Sequence, residues 1–282
     1  MKHIIKQLTL AILISGIATV AQAGNITVKG SDTLLILAQK WAETYMGSHT
    51  DVKISVTGGG TGTGFAALQN QTTDLCDASR KAKPAEVLNC IKAFNAQPTE
   101  YKVALDGLSV YVNPENPLKE LTVAQVGDIF TGKITNWKEV GGPDVPITVY
   151  SRENSSGTYE FFKEHVLKGH DFAASAQTMP GTAAIVQAVL KDKNSIGYGG
   201  AAYGGGSKQL AIKKDDSSPA IDPTEDNVVS GVYPIWRYLY VYVNPALNKG
   251  EIADYLNWIR SDEGQKHVKD VGYFPLPKNL RS

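Results

Sequence analysis

The sequence predicts an α/β fold of mainly parallel sheets, arranged as two lobes joined by two crossover strands. Three observations predict it. Segments of alternating apolar residues are followed three times by a polar or glycine-rich turn and then by a run with helical spacing. The pattern Leu-x-Val-Tyr-Val-Asn-Pro occurs at residues 108–114 and again at 239–245, bracketing the middle of the chain. The chain of 282 residues is long enough for two lobes of ordinary size. The echo places the first lobe at 24–113 and 239–282, and the second at 114–238.

The first 23 residues stand apart. Lys2, His3 and Lys6 form a basic start, residues 8–20 an apolar run, and Ala21-Gln22-Ala23 a small-x-small cleavage site. That pattern is a secretory signal peptide at 1–23, too short for a good membrane span. The mature chain is expected to start at Gly24 and to be exported. No cysteine lies near the cleavage site, so nothing there points to lipid attachment.

The chain carries 28 basic and 28 acidic residues. Without Lys2 and Lys6 the balance is 26 against 28, a formal charge of −2. No basic face is visible, so nucleic acid is not an expected partner. Any anion must be held by local donors and not by the overall field. Two cysteines, Cys76 and Cys90, fall in the exported part, where disulfides persist. A bridge between them would contribute about 3 kcal/mol by constraining the unfolded chain. Compartment and even count favour the bridge; the alternative is two free buried thiols.

Residues 25–29 read as a strand with Ile26 and Val28 on one face. The turn Gly30-Ser31-Asp32-Thr33-Leu34 follows, then helical spacing at Leu34, Leu37, Ala38, Trp41 and Tyr45. Ser31, Asp32 or Thr33 can cap this helix. Val52, Ile54 and Val56 alternate as a second strand. It leads into the glycine-rich residues 57–64 and a short helix through Phe65 and Leu68. That turn lacks the Lys-Ser/Thr end of a nucleotide P-loop, but its backbone N–H groups can converge on a small anion.

The third unit is the clearest. Val145, Ile147 and Val149 alternate, Ser151-Arg152-Glu153-Asn154-Ser155-Ser156-Gly157-Thr158 turns, and a helix runs to about residue 167. Ser155 or Ser156 suits the N-cap position. Unpaired N–H groups at a helix start point outward and favour an anion. Arg152 adds a planar fork of donors suited to a tetrahedral oxyanion.

Elsewhere, Asp77-Ala78-Ser79-Arg80 precedes a helix opened by Pro84, with Arg80 a candidate second cation. Helices are expected near 122–130, 182–190 and 249–260. The glycine-rich residues 203–207 are either a lid or a linker, and linker is the simpler reading. No G-x-S-x-G elbow, no H-E-x-x-H and no Cys/His metal spacing occurs, so neither an enzyme nor a metal or other cofactor is expected.

Several segments together carry a resemblance. They are residues 30–34 before the Trp41 helix, residues 57–64, residues 74–80, and two motifs. One is Asp128-Ile129-Phe130-x-Gly132-x-Ile134-x-x-Trp137; the other is Arg152-x-x-x-Ser156-Gly157-Thr158. With these the mature chain resembles, over essentially its whole length, the periplasmic phosphate-binding proteins of bacterial ABC phosphate uptake systems. The resemblance implies a two-lobed periplasmic-binding-protein fold of type II that closes on inorganic phosphate. It implies a monomer that serves a membrane-embedded permease. By matching motifs, phosphate meets Arg152, Ser156, Gly157 and Thr158 from the second lobe. From the first lobe come the turn at Ser31, Asp32, Thr33 and Leu34 and the Thr61 hydroxyl; Ser79 of the Ala-Ser pair joins the candidate set, as does Arg80, the candidate second cation. In one branch of the family an Asp follows the Ala-Ser pair and accepts the phosphate proton. Arg80 stands there in this chain, so Asp32 is the expected acceptor and Asp77 the reserve. Binders of sulfate, molybdate or a phosphorylated small molecule, and a secreted hydrolase on a similar fold, are the alternatives.

Overall fold

The computed structural model describes residues 24–281. The signal peptide expected at 1–23 lies outside the described residues.

The strands are β1 (Gly24–Gly30), β2 (Val52–Thr57), β3 (Leu75–Ala78), β4 (Thr99–Val112), β5 (Glu120–Thr122) and β6 (Thr148–Arg152). They continue with β7 (Gln177–Met179), β8 (Ser195–Gly200), β9 (Lys208–Gln209), β10 (Ala211–Lys213), β11 (Ala220–Ile221) and β12 (Trp236–Val243). The helices are α1 (Leu35–Ser48), α2 (Thr61–Gln69), α3 (Pro84–Phe94), α4 (Val123–Phe130) and α5 (Gly157–His165). Then come α6 (Thr182–Lys191), α7 (Glu225–Val229), α8 (Gly250–Arg260) and α9 (Asp262–Asp270).

One curled sheet runs through the molecule in the order β2-β1-β3-β12-β4-β8-β6-β7, with β9 on the end of β4. β1 pairs in parallel with β2 and β3, and β6 in parallel with β7 and β8. The centre departs from the mainly parallel expectation. β12 is antiparallel to both β3 and β4, and β4 is antiparallel to β8. Both strands that carry the chain between the lobes run against the strands beside them here.

β4 and β12 are the echoed strands. The first half of β4 pairs with β12 and the second half with β8. β12 runs the other way, from Trp236 beside Gly107 to Val243 beside Thr99. Each Leu-x-Val-Tyr-Val motif is the half of a crossover that arrives in the new lobe. From Val103 onward every residue of β4 is buried, as a strand covered on both faces must be.

Two apolar cores flank this centre. One contains Ile26, Val28, Leu37, Trp41, Ala104, Leu239 and Tyr255; the other Leu105, Val110, Phe130, Trp137, Phe162 and Tyr198. The change of core falls between Ala104 and Leu105. The tail changes core again: Tyr273 belongs to the first, Phe274 and Leu276 to the second. Phe274 exchanges backbone hydrogen bonds with Leu105, so the tail stitches the two cores at the first crossover. Each fully buried Trp or Phe contributes roughly 2–3 kcal/mol by leaving water. The indole N–H groups are satisfied too, Trp41 by the Gly264 carbonyl at 2.7 Å and Trp137 by that of Asn194 at 2.9 Å.

The expected disulfide is not formed. Cys76 on β3 and Cys90 on α3 are free thiols, each fully buried. They pack as small apolar side chains in one layer with Phe65, Leu68, Tyr240 and Tyr242. Burial pushes both thiols up in pKa, Cys90 to about 11, which keeps them protonated and unreactive at neutral pH.

Candidate anion-binding site

Three helix starts meet where the two cores adjoin, and local sequence explains each. α5 begins at Gly157 because Ser156 caps it, its Oγ accepting from the Tyr159 N–H at 3.2 Å. α2 begins after Gly60, whose φ of 94° suits glycine and whose Cβ position is filled by the Ser155 carbonyl. The Gly62 N–H donates to that same carbonyl at 2.9 Å, tying the start of α2 to the turn before α5. α1 follows the 31–34 turn, where the Leu34 N–H donates to the Ser31 carbonyl at 3.1 Å and the Leu34 side chain enters the first core. The Ser31 N–H is held by the Asp77 carbonyl at 2.9 Å.

Neither α1 nor α2 has a side-chain cap. Two of the residues expected to cap α1, Asp32 and Thr33, bond to the other lobe instead. The hydroxyl of Thr33 lies 2.7 Å from that of Thr158. Ser79 Oγ lies 3.4 Å from both Thr158 Oγ1 and Thr61 Oγ1. The Ser79 N–H donates to Thr61 Oγ1 at 3.1 Å. Thr33, Thr61, Ser79 and Thr158 are each no more than 1% exposed. Gly157 has to be glycine, since a Cβ there would collide with the hydroxyls of Thr61 and Ser79. Buried hydroxyls at helix starts can turn their protons toward an anion without bringing a formal charge.

Arg152 borders this cluster with its side chain 1% exposed. Its Nε and Nη2 donate to Glu153 at 3.1 and 2.7 Å, Nη2 also to Asp32 Oδ2 at 2.9 Å, and Nη1 to Thr182 Oγ1 at 2.9 Å. Four of the five guanidinium hydrogens are engaged, which leaves one on Nη1. Burial works against the charge, but the Glu153 and Asp32 carboxylates outweigh it and hold the Arg152 pKa above its ordinary value. In return, Arg152 outweighs the effect of burial on Glu153 and holds that carboxyl below the usual range. Asp32 bridges the lobes, taking the Gly59 N–H on Oδ1 at 2.9 Å and Arg152 on Oδ2. Tyr203 closes the same seam by donating to the Asp32 carbonyl at 2.6 Å, so the 203–207 loop is more than a linker.

Arg80 is not part of this cluster, contrary to the sequence expectation. Its Nη1 and Nη2 grip the two oxygens of Glu86 at 2.8 Å each, and its Nε lies 2.5 Å from Glu160 Oε2. Glu86 sits in the first turn of α3 and Glu160 in the first turn of α5. Two carboxylates within reach of a long side chain outcompete a set of neutral hydroxyls. Arg80 lines a cavity of about 940 Å³ with Lys83, Glu160, Phe161, Trp236, Tyr238 and also Arg237, and none of the four clustered hydroxyls lines it. Asp77 is buried with no hydrogen bond to its carboxyl among the described residues, and burial raises its pKa to about 7.

The second guanidinium at the hydroxyls is Arg237, from β12. Its Nη2 donates to Thr158 Oγ1 at 3.0 Å and its Nη1 to the Ser79 carbonyl at 2.9 Å. Its Nε and Nη2 hold Asp106 Oδ2 at 2.9 and 2.7 Å. Asp106 and Arg237 face each other across the β4–β12 pair. A signal for them exists in the sequence, because each lies two residues before the leucine of an echoed motif. Thr182, which receives Arg152, also follows a short strand and a Pro-Gly turn, the fourth unit of the kind that marked the other three.

This architecture is shared with known proteins. Residues 17–263 match the PBP superfamily domain. The chain is 36% identical over 274 residues to the phosphate-binding protein PstS of Pseudomonas aeruginosa, covering 92% of this chain and 85% of that one. It is 34% identical over 263 residues to PstS of Staphylococcus epidermidis, covering 90% and 80%. The chain belongs to the PstS family of the PBP superfamily. Among solved structures, a Clostridium perfringens protein assigned as a phosphate ABC transporter substrate-binding protein, with bound phosphate, superimposes with a TM-score of 0.82. It is 28% identical and covers 90% of this chain and all of that one. An ABC-type phosphate transport receptor from Vibrio cholerae superimposes with a TM-score of 0.72 at 27% identity, over 89% of this chain and all of that one. The fold is therefore the two-lobed periplasmic-binding-protein fold.

Proposed function

We propose that this protein captures inorganic phosphate between its lobes, in the periplasm, and delivers it to a membrane-embedded ABC importer. The observation that carries the reading is the cluster of Thr33, Thr61, Ser79 and Thr158, four buried hydroxyls of which three lie at or beside converging helix starts and Ser79 follows β3. Family membership supports it, since relatives named for phosphate binding cover most of the chain.

In this reading the mature protein starts at Gly24 after a signal peptide and acts as a monomer. Its lobes are 24–113 with 239–282, and 114–238. Phosphate meets Thr33, Thr61, Ser79 and Thr158, the N–H groups at the starts of α2 and α5 beside Ser156 and Gly157, and the remaining Nη1 hydrogen of Arg152. Ser31, Leu34 and Asp32 shape the turn around it. The Thr33–Thr158 contact joins the lobes, so an entering anion replaces a bond between them with bonds to itself. A ligand touching both lobes favours the closed form.

The charge balance favours an anion that carries a proton. Arg152 and Arg237 are matched against Asp32, Glu153 and Asp106, so the side chains offer no net positive charge. Phosphate near neutral pH keeps a proton for a carboxylate acceptor, whereas sulfate has none and would set lone pair against lone pair. Asp32 is the acceptor in this reading. No bond is made or broken, so no catalytic group is needed.

Calorimetric titration of ligand-stripped mature protein with phosphate and then sulfate tests the reading. Tight one-to-one phosphate binding without a sulfate response is expected. Asp32→Asn should narrow the gap between the two anions, and Arg152→Ala should weaken phosphate strongly. Turnover of a chromogenic phosphate ester would replace transport with hydrolysis.

A further inference from the structure

Arg237 stands beside the proposed phosphate site. It is 4% exposed and donates in three directions: to Asp106, to the Ser79 carbonyl and to Thr158 Oγ1. A guanidinium can only donate. It therefore occupies a lone pair of Thr158 Oγ1 and leaves that hydroxyl's single proton free to point at an acceptor. The backbone does the same for Thr61, whose Oγ1 receives the Ser79 N–H at 3.1 Å. Arg237 also touches Ser79, its Nη1 holding the carbonyl of the peptide unit that follows at 2.9 Å.

A hydroxyl is ambiguous, since it can donate or accept. Two hydroxyls that must hold an anion have to be donors at the same moment. We infer that Arg237 is a positioning residue for the bound anion: it sets Thr158 as a donor beside Thr61, which the backbone sets, and Asp106 holds it in the orientation that does so. Asp106 is in turn fixed on its other oxygen, where Oδ1 accepts from the Ala201 N–H at 3.0 Å. The pair lies directly across the two crossover strands, so its geometry is set by sheet register and not by a loop.

This inference rests on the phosphate-binding reading, and the test separates the two. Phosphate is titrated calorimetrically into four full-length mature proteins. They are the unmodified protein, the paired replacement Asp106→Asn with Arg237→Gln, Thr158→Val, and all three replacements together. Changing both members of the pair avoids leaving a buried acid alone, and urea unfolding of each protein confirms that it is folded. Loss of Arg237 should weaken phosphate roughly tenfold to hundredfold where Thr158 is present, the range of a hydrogen bond to a charged group. In the Thr158→Val background, where that hydroxyl is already gone, the same replacement should cost several-fold less. Equal losses in both backgrounds would overturn the inference, because the arginine would then act on the anion by some route that does not pass through Thr158. If the unmodified protein does not bind phosphate, the functional reading falls and this inference falls with it.

Discussion

Arg80 and Arg237 are both buried guanidiniums held by carboxylates, and both lie near the ends of central strands. They do different things. Arg80 is clamped between Glu86 and Glu160, the first-turn acids of α3 and α5, and its side chain makes no hydrogen bond to the hydroxyl cluster among the described residues. Arg237 is clamped by one acid, Asp106, and spends its other donors on Thr158 and Ser79. The difference is the number of carboxylates in reach. Glu86, Glu160 and the Lys81 carbonyl take the hydrogens of Arg80 that have a partner, whereas Asp106 takes only part of Arg237 and leaves hydrogens with which it organises neutral groups.

The comparison can be broken most forcefully at Arg237. Arg237→Gln strands Asp106, which is fully buried, and should cost about 3–5 kcal/mol of unfolding free energy in urea. Replacing both partners with apolar residues, Asp106→Leu with Arg237→Met, should restore much of that stability without restoring phosphate affinity. Recovery of both would mean that the pair serves the fold alone.

Asp77 sharpens the contrast, as a buried acid with no arginine bonded to it among the described residues. Its folded pKa of about 7 lies above the ordinary carboxylate value, so the folded state binds the extra proton between about pH 4 and 7. Stability from this group is therefore lost as pH rises through that window. Asp77→Asn should stabilise the protein at pH 8 by up to about 4 kcal/mol and change little at pH 4. Urea midpoints at the two pH values check it; a stabilisation that is the same at both would contradict the assigned shift.

Arg80→Gln should cost less, about 1–2 kcal/mol, because Glu86 and Glu160 keep partial access to water at 13% and 20%. Phosphate affinity should stay within about threefold, well short of the tenfold that one lost charged hydrogen bond commands. A tenfold loss would return Arg80 to the site. Smallest of all, Lys83→Ala removes a bond of 2.6 Å to Glu160 from a half-exposed side chain. It should cost less than about 1 kcal/mol, and the effect should fade in high salt.

The three strand–turn–helix units and the two echoed crossover strands were legible because each is a local pattern, apolar alternation followed by a turn and a helical stripe. Thr33 and Thr158 were legible for the same reason, since they lie at or beside helix starts, whereas Thr61 entered through the family resemblance and Ser79 directly follows β3. The antiparallel centre was not, since the direction in which a crossover meets its neighbours depends on the return path of the whole chain. The cysteines misled because compartment and even count speak for a bridge, whereas the packing under α2 and α3 gives each thiol an apolar place of its own.

By itself, then, the sequence determined where backbone donors and short hydroxyl side chains would gather, because these reach only a few ångströms from a chain whose local path is set by propensity and capping. Tertiary structure alone decided which arginine serves them. A guanidinium sits at the end of a long flexible stem, and its partners are whatever carboxylates the folded sheet and helices bring within reach. Sheet register placed Asp106 opposite Arg237, and the meeting of α3 with α5 gave Arg80 to Glu86 and Glu160.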